Sequence, residues 1–301
     1  MKLRLGARGS ALSRVQAEWV ARALDPRADV EIVTIRTTGD RLSAAGAPIG
    51  WKGDFTKELD AALLSHEIDL AVHSLKDVPS KLPPGIALAA VPKREDPSDV
   101  LAARPRRTFA ELPRGARVGT SSPRRRAQVL AARPDLDVSD ARGNVDTRLR
   151  RLAEGKWDAI VLARAGLARL SRLEEICDVF APEVLLPAIG QGTLAVVGRA
   201  DDRAVGDVLA SIEDGASRFE AAAERSLLAR LEAGCHAPVA GLARSSAGRV
   251  SLTGAVFSPD GKRILRESAE DAAERAEELG RTLADRLLAR GAARILAEAL
   301  A

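Results

Sequence analysis

The stretch IDLAVHS, Ile68 to Ser74, runs directly into LKDVP, Leu75 to Pro79, and these two segments decide the fold. An apolar run closed by a charged, proline-ended segment reads as a buried strand whose C-terminal end opens onto a polar loop. Before it, Phe55, Leu59, Ala62 and Leu63 fall on one side of a helix, and VEIVTI, Val30 to Ile35, reads as another strand buried on both faces. Leu3 and Leu5 alternate along a first strand, and Ser10 caps a helix with Leu12, Val15, Trp19 and Val20 at helical spacing. Such β-α-β units predict a mostly parallel sheet.

The pattern then repeats. Arg117 to Gly119 reads as a short strand, Ser121 or Ser122 as a cap, and Pro123 as the first helical residue, where a missing N–H costs nothing. After Gly143 a helix carries Leu149 and Leu152, and DAIVLA, Asp158 to Ala163, is the next strand. Pro92 to Pro105, rich in proline and charge, reads as a crossover into this second α/β domain. Pro182 to Gly192, with the turn Gly190, Gln191, Gly192, precedes the strand Leu194 to Val197 and leads the chain back to the first. From about Gly215 a helix (Phe219 to Leu231), strands near Val250 to Phe257 and Ile264 to Ser268, and a long helix from Asp271 form a separate α+β domain. The expected boundaries are residues 1–93 with 192–212, 98–187, and 215–301.

Of the 301 residues 46% are hydrophobic, enough for each domain to hold a core, and the apolar runs are all far shorter than the roughly 20 residues a membrane span needs. Arg4, Arg8 and Arg14 interrupt the N-terminus where a signal peptide needs an apolar stretch, so a cytoplasmic protein is expected. The net charge of +4 is unevenly spread. Residues 104–151 hold 13 Arg, no Lys and five acidic residues, a local +8, which leaves −4 for the rest.

Arginine presents a planar fork that matches carboxylates two bonds at a time. GTSSPRRR therefore gathers hydroxyls, the unbonded N–H groups of a helix start and Arg124, Arg125 and Arg126 into an anion site, with further arginines in RGNVDTR. The competing reading is a solvated basic face. Asp77, beside Lys76, follows the C-terminal end of a strand, where open α/β sheets bind ligands, and a carboxylate there can accept protons or offset a developing cation. His73 reads as a structural group. Cys235, bracketed by Gly234 and Pro238 on a loop, is the accessible thiol; Cys177, in LEEICDVF, reads as a small buried hydrophobe in a helix. The few Cys and His show no metal-ligand spacing.

In chain order, GARGSALSRVQA, HSLKDVP, KREDPSDV, GTSSPRRRAQ, RGNVDTRLRRL, WDAIVLARAGLARL, LPAIGQG and AERSLLARLEAGCHAPV closely resemble the porphobilinogen deaminases, or hydroxymethylbilane synthases, over residues 3 to 260. The resemblance implies a cytoplasmic monomer of two doubly wound α/β domains, like periplasmic binding proteins, joined by a two-crossing hinge, plus a C-terminal α+β domain. It implies a transferase of tetrapyrrole biosynthesis that joins four porphobilinogen molecules head to tail, releases ammonia, and hydrolyses hydroxymethylbilane free. A dipyrromethane cofactor is implied, attached to Cys235 by a thioether, with Asp77 as the catalytic carboxylate. Cofactor contacts fall on Ser74, Lys76, Thr120, Ser121, Ser122, Arg124, Arg125 and Gln191, and substrate contacts on Arg8, Ser10, Arg142 and Arg148. Each pyrrole brings acetate and propionate, which suits forked guanidiniums.

The chain departs from the family's common pattern at Asp146, Trp51, Asp54, Ala233, His236, Val197 and Gly198. Two other classes compete: a solute-sensing protein on the same scaffold, needing neither Cys235 nor Asp77, and a nucleic-acid binder. With Phe109 the one aromatic residue in the arginine-rich segment, base stacking has little to work with.

Overall fold

The computed structural model describes residues 1–40, 56–234 and 237–300. The described chain falls into two compact units, Met1–Glu95 with Thr193–Arg218, and Asp96–Gly192 with Phe219–Ala301.

The first unit holds strands β1 (Lys2–Arg8), β2 (Asp29–Ile35), β3 (Leu70–Ser74), β4 (Ile86–Ala90) and β10 (Leu194–Arg199) in the order β2-β1-β3-β10-β4. β1 runs parallel to β2 and β3, and β10 runs antiparallel to β3 and β4. Side chains alternate along β3, so Leu70 and Val72 pack with Val20 and Leu24 on one face, while Ala71 packs with Leu59 and Leu63 on the other. Both faces are covered, which is the doubly wound arrangement.

β2 departs from expectation. It is the edge strand, hydrogen-bonded to a neighbour on one side alone, and its residues are exposed or partly buried rather than buried on both faces. Trp19 is likewise 40% exposed; the helix Ala11–Leu24 buries Ser13, Gln16, Ala17, Val20 and Leu24 instead. The expected cap is present: the Ser10 hydroxyl accepts from the Ser13 N–H at 3.3 Å.

The second unit repeats the scheme with β5 (Asp99–Ala103), β6 (Arg117–Gly119), β7 (Asp137–Ser139), β8 (Ala159–Ala163) and β9 (Asp178–Val179), ordered β7-β6-β8-β5-β9. β6 is parallel to β7 and β8, and β5 is antiparallel to β8 and β9. In each sheet the antiparallel strand is the first one laid down after the chain enters from the other unit: β5 in one, β10 in the other. Pro92 to Pro105 is thus more than a crossover. It contains β5, buried at every position, whose short apolar run VLAA was masked by flanking prolines and charges.

The same unit carries the antiparallel sheet β11 (Val239–Ser246), β12 (Arg249–Phe257) and β13 (Ile264–Ala272), packed by helices Gly215–Arg230, Ala276–Ala289 and Ala292–Leu300 around Leu227, Leu252 and Leu283. The helix expected from Asp271 begins later, because β13 stays paired with β12 as far as Ala272. Cys177 is not helical; it follows a single 3-10 turn, Leu173–Glu175, and packs half-buried at the edge of the second sheet's core. No helix among the described residues is long and apolar enough to cross a membrane.

Candidate active site

Within each unit, several of the expected site residues follow the C-terminal ends of parallel strands, where backbone N–H groups and following helix starts point outward from the sheet. In the first unit, β1 ends at Arg8 and β3 at Ser74, so the chain past them, Ser10 and the 3-10 turn Leu75–Asp77, comes to one rim. Arg8, Ser10, Ser13, Gln16, His73, Ser74 and Asp77 line an open recess there. Gln16 donates to the Ser74 hydroxyl at 2.9 Å, and Ser13 accepts from the Arg8 N–H at 2.9 Å. The Arg8 guanidinium also holds Asp40, by Nε at 3.1 Å and Nη2 at 2.5 Å. Burial raises the Asp40 carboxyl, and Arg8 outweighs that to keep it below its ordinary value. Lys76 sits half-buried in the same turn as Asp77.

His73 is buried with no partner for Nε2. Burial first, then the nearby Arg8 charge, lower its pKa to about 4, so the imidazole is neutral near pH 7.

In the second unit β6 ends at Gly119 and leads through Thr120 and Ser121 to the helix Pro123–Ala132, which Ser122 caps by accepting from the Arg125 N–H at 3.4 Å. Gly119 is required here: a Cβ would stand 2.8 Å from the ring of Trp157, whose Nε1 donates to Ser139. The Ser121 hydroxyl is buried and unpartnered, and so is Arg124 Nε. Gln191, on the turn before β10, donates to Pro97 O at 2.7 Å and to Asp99 Oδ1 at 3.0 Å. Its turn is tied in place by Glu224, whose carboxylate accepts from the Gly190 and Ala243 N–H groups.

Arg124 and Arg125 point at a partner the sequence reading missed. Arg124 Nη1 donates to Asp99 Oδ2 at 2.7 Å and to Leu186 O at 2.7 Å, while Arg125 donates to Asp99 Oδ1 from Nε at 2.9 Å and to Val161 O at 3.0 Å. Asp99 is fully buried; burial pushes its carboxyl up, but Arg124 and Arg125 outweigh this and hold it at about 2. Its signal in the sequence is its place in KREDPSDV, one of the motifs that carry the family resemblance, inside the stretch Pro92 to Pro105 that reads as a crossover.

Arg142 and Arg148 lie apart from that buried cluster, near the end of β7. Arg142 is half-buried and donates to Asp140, and Arg148 Nε donates to Gly143 O at 2.8 Å. Asp146 lies in the first turn of Val145–Ala153, where the helix dipole favours an anion, and pairs at 3.7 Å with Arg172. Of the 13 arginines in residues 104–151, seven bridge a carboxylate among the described residues, so much of the local charge is committed to the fold. Cys235 and His236, and the stretch from Gly46 through Trp51 and Asp54, lie outside the described residues. Among the described residues no cluster of His, Cys, Asp and Glu is arranged to hold a metal.

Two family models match the chain: "Porphobilinogen deaminase, dipyromethane cofactor binding domain" over residues 3–207, and "Porphobilinogen deaminase, C-terminal domain" over residues 218–289. A porphobilinogen deaminase of Desulforudis audaxviator is 50% identical over 297 residues, covering 97% of this chain and 96% of its own. One from Syntrophomonas wolfei is 48% identical over 300 residues, covering 98% of both chains, and one from Brevibacillus brevis is 45% identical over 304, covering 99% and 98%. Among solved structures, the periplasmic VFT2 domain of Bordetella pertussis BvgS aligns at 16% identity with a TM-score of 0.43, over 70% of this chain and 86% of its own.

Proposed function

The chain belongs to the porphobilinogen deaminase family, and from that premise we propose how its residues divide the work of joining porphobilinogen units on a dipyrromethane cofactor. Four units are joined head to tail and leave as hydroxymethylbilane after hydrolysis. The observation that carries this reading is the buried, unpartnered Ser121 hydroxyl at a capped helix start beside Arg124 and Arg125, an anion acceptor with unused donors. Those donors fit a group bearing several carboxylates, as the dipyrromethane does.

Cys235 holds the cofactor by a thioether, and Ser74, Lys76, Thr120, Ser121, Ser122, Arg124, Arg125 and Gln191 hold its charged groups. When bound, the cofactor supplies the first pyrrole carbon to which substrate is added. Arg8, Ser10, Arg142 and Arg148 take the acetate and propionate of incoming porphobilinogen. As the C–N bond of porphobilinogen breaks and ammonia leaves with the electron pair, positive charge spreads onto the pyrrole nitrogen. The Asp77 carboxylate, at the rim of the recess, offsets that charge and then accepts the proton lost when the new C–C bond has formed. The neutral His73 adds no competing positive charge there. The protein works as a monomer in the cytoplasm, on a small acidic substrate, without nucleic acid or membrane. Its cofactor and substrate work is divided among three domains, residues 1–93 with 192–212, 98–187, and 215–301.

Intact-mass measurement tests this directly. The purified protein should exceed its sequence mass of 31.8 kDa by one dipyrrole, and Cys235→Ala should show its own unmodified sequence mass. A wild-type chain at the bare sequence mass that still turns over porphobilinogen would overturn the cofactor assignment.

A further inference from the structure

We infer that Asp99 is a positioning residue for the cofactor site: it clamps Arg124, Arg125 and Gln191 together and leaves them one net positive charge with which to hold a single carboxylate of the dipyrromethane. The inference rests on the reading that Arg124 and Arg125 bind the cofactor, and adds the residue that makes them able to.

Successive residues of an α-helix point about 100° apart, so neighbouring arginines normally diverge. Here Arg124 and Arg125 converge on the two oxygens of one carboxylate, at 2.7 Å in each ion pair. All three side chains are buried: Asp99 is 0%, Arg124 3% and Arg125 6% exposed. Burying two guanidiniums side by side is costly unless each is paired, since like charges repel strongly where water is excluded. A fold that needed only a buried ion pair would use one arginine. Two arginines against one aspartate leave an excess of one charge.

The hydrogen bonds are incomplete in the same way. Asp99 takes bonds from Arg124, Arg125 and Gln191, and Leu186 O and Val161 O take one each, yet Arg124 Nε and the Ser121 hydroxyl remain buried without partners. An unsatisfied buried donor and an unbalanced positive charge are both remedied by one carboxylate oxygen pair. Asp99 meanwhile comes from β5, which pairs with β8 on one side and β9 on the other, so the clamp is anchored on a strand inside the second sheet rather than in a loop.

The test uses full-length chain purified from cells that make no porphobilinogen, then incubated with porphobilinogen while the covalent dipyrrole is followed by intact mass. Only folded chains isolated by size exclusion are counted. Asp99→Asn should load roughly tenfold or more slowly than wild type, the size of effect seen when a residue that orients binding groups is lost. A merely structural Asp99 would lower the melting temperature and leave the loading rate of folded chains unchanged; that result overturns the proposal. If Asp99→Asn does not fold, Asp99→Glu, which keeps the charge but displaces it by one methylene, gives the same reading: slowed loading supports the clamp and wild-type loading overturns it. Arg125→Ala run in parallel reports on the reading underneath. Should it load as fast as wild type, the arginine assignment itself fails; should it fail to load while Asp99→Asn loads normally, only the role of Asp99 is lost.

Discussion

His73 and Asp77 stand four residues apart on one rim and illustrate how burial sorts titratable groups. His73 sits inside, with a pKa of about 4 against the ordinary 6.5. Because the folded state resists protonation, the unfolded chain takes up the proton first as pH falls. The stability this group contributes is complete above pH 6.5 and is lost as pH drops from 6.5 toward 4, on the order of 3 kcal/mol in all. His73→Gln should therefore flatten the melting temperature against pH across that window; an unchanged slope would place the acid sensitivity elsewhere. Asp77, by contrast, is half-buried and lines the recess. Asp77→Asn should melt within a degree or two of wild type yet lose about a hundredfold or more in turnover, read as ammonia release at saturating substrate. Near-normal release would move the charge-stabilising role to another group.

At the scale of elements, the helix Pro123–Ala132 matters most, because its start carries the hydroxyls and its first turn the paired arginines. Ser122 is its cap, and Ser122→Ala should cost about 1 kcal/mol in urea unfolding. The same variant should slow cofactor loading more than that stability loss explains, since fraying the first turn moves Arg124 and Arg125 together. Proline, helix and a capping serine were readable from TSSPRRR, because capping is a local interaction between residues three apart; that the cap is Ser122 rather than Ser121 was decided by the structure. β5 was not readable. A strand of five residues with Asp at its start is too short to show periodicity, and it becomes a strand only by pairing with β8, some 60 residues away. Trp19 was misplaced for a related reason: apolar spacing names two candidate helix faces, and the sheet beneath selects the one bearing Ala17, Val20 and Leu24.

For the whole molecule, the arginine-rich segment reads differently once its partners are known. A local +8 invites nucleic acid as a partner, but among the described residues seven of the thirteen arginines are bridged to carboxylates, and Arg106 and Arg126 donate to backbone carbonyls. Such charges release few counterions. Binding to random duplex DNA should accordingly be weak near 150 mM salt, with a shallow dependence on salt; a slope corresponding to about six phosphate contacts would revive the nucleic-acid reading.

The sequence by itself determined the alternating α/β pattern, the cap at Ser10 and a cap at Ser121 or Ser122, the ordered motifs that identify the family, and the end of β3 as the place for Asp77. These rest on spacing within one element or on short motifs, so they survive without knowledge of what packs where. Only the tertiary structure decided that β2 is an edge, that β5 is a buried strand, and that Asp99 holds Arg124, Arg125 and Gln191. Those partners lie 25, 26 and 92 residues from Asp99 along the chain. A charge written in the sequence has a sign but no partner; which charges are neutralised, and which are left to meet a ligand, is settled by folding that brings distant side chains out of water together.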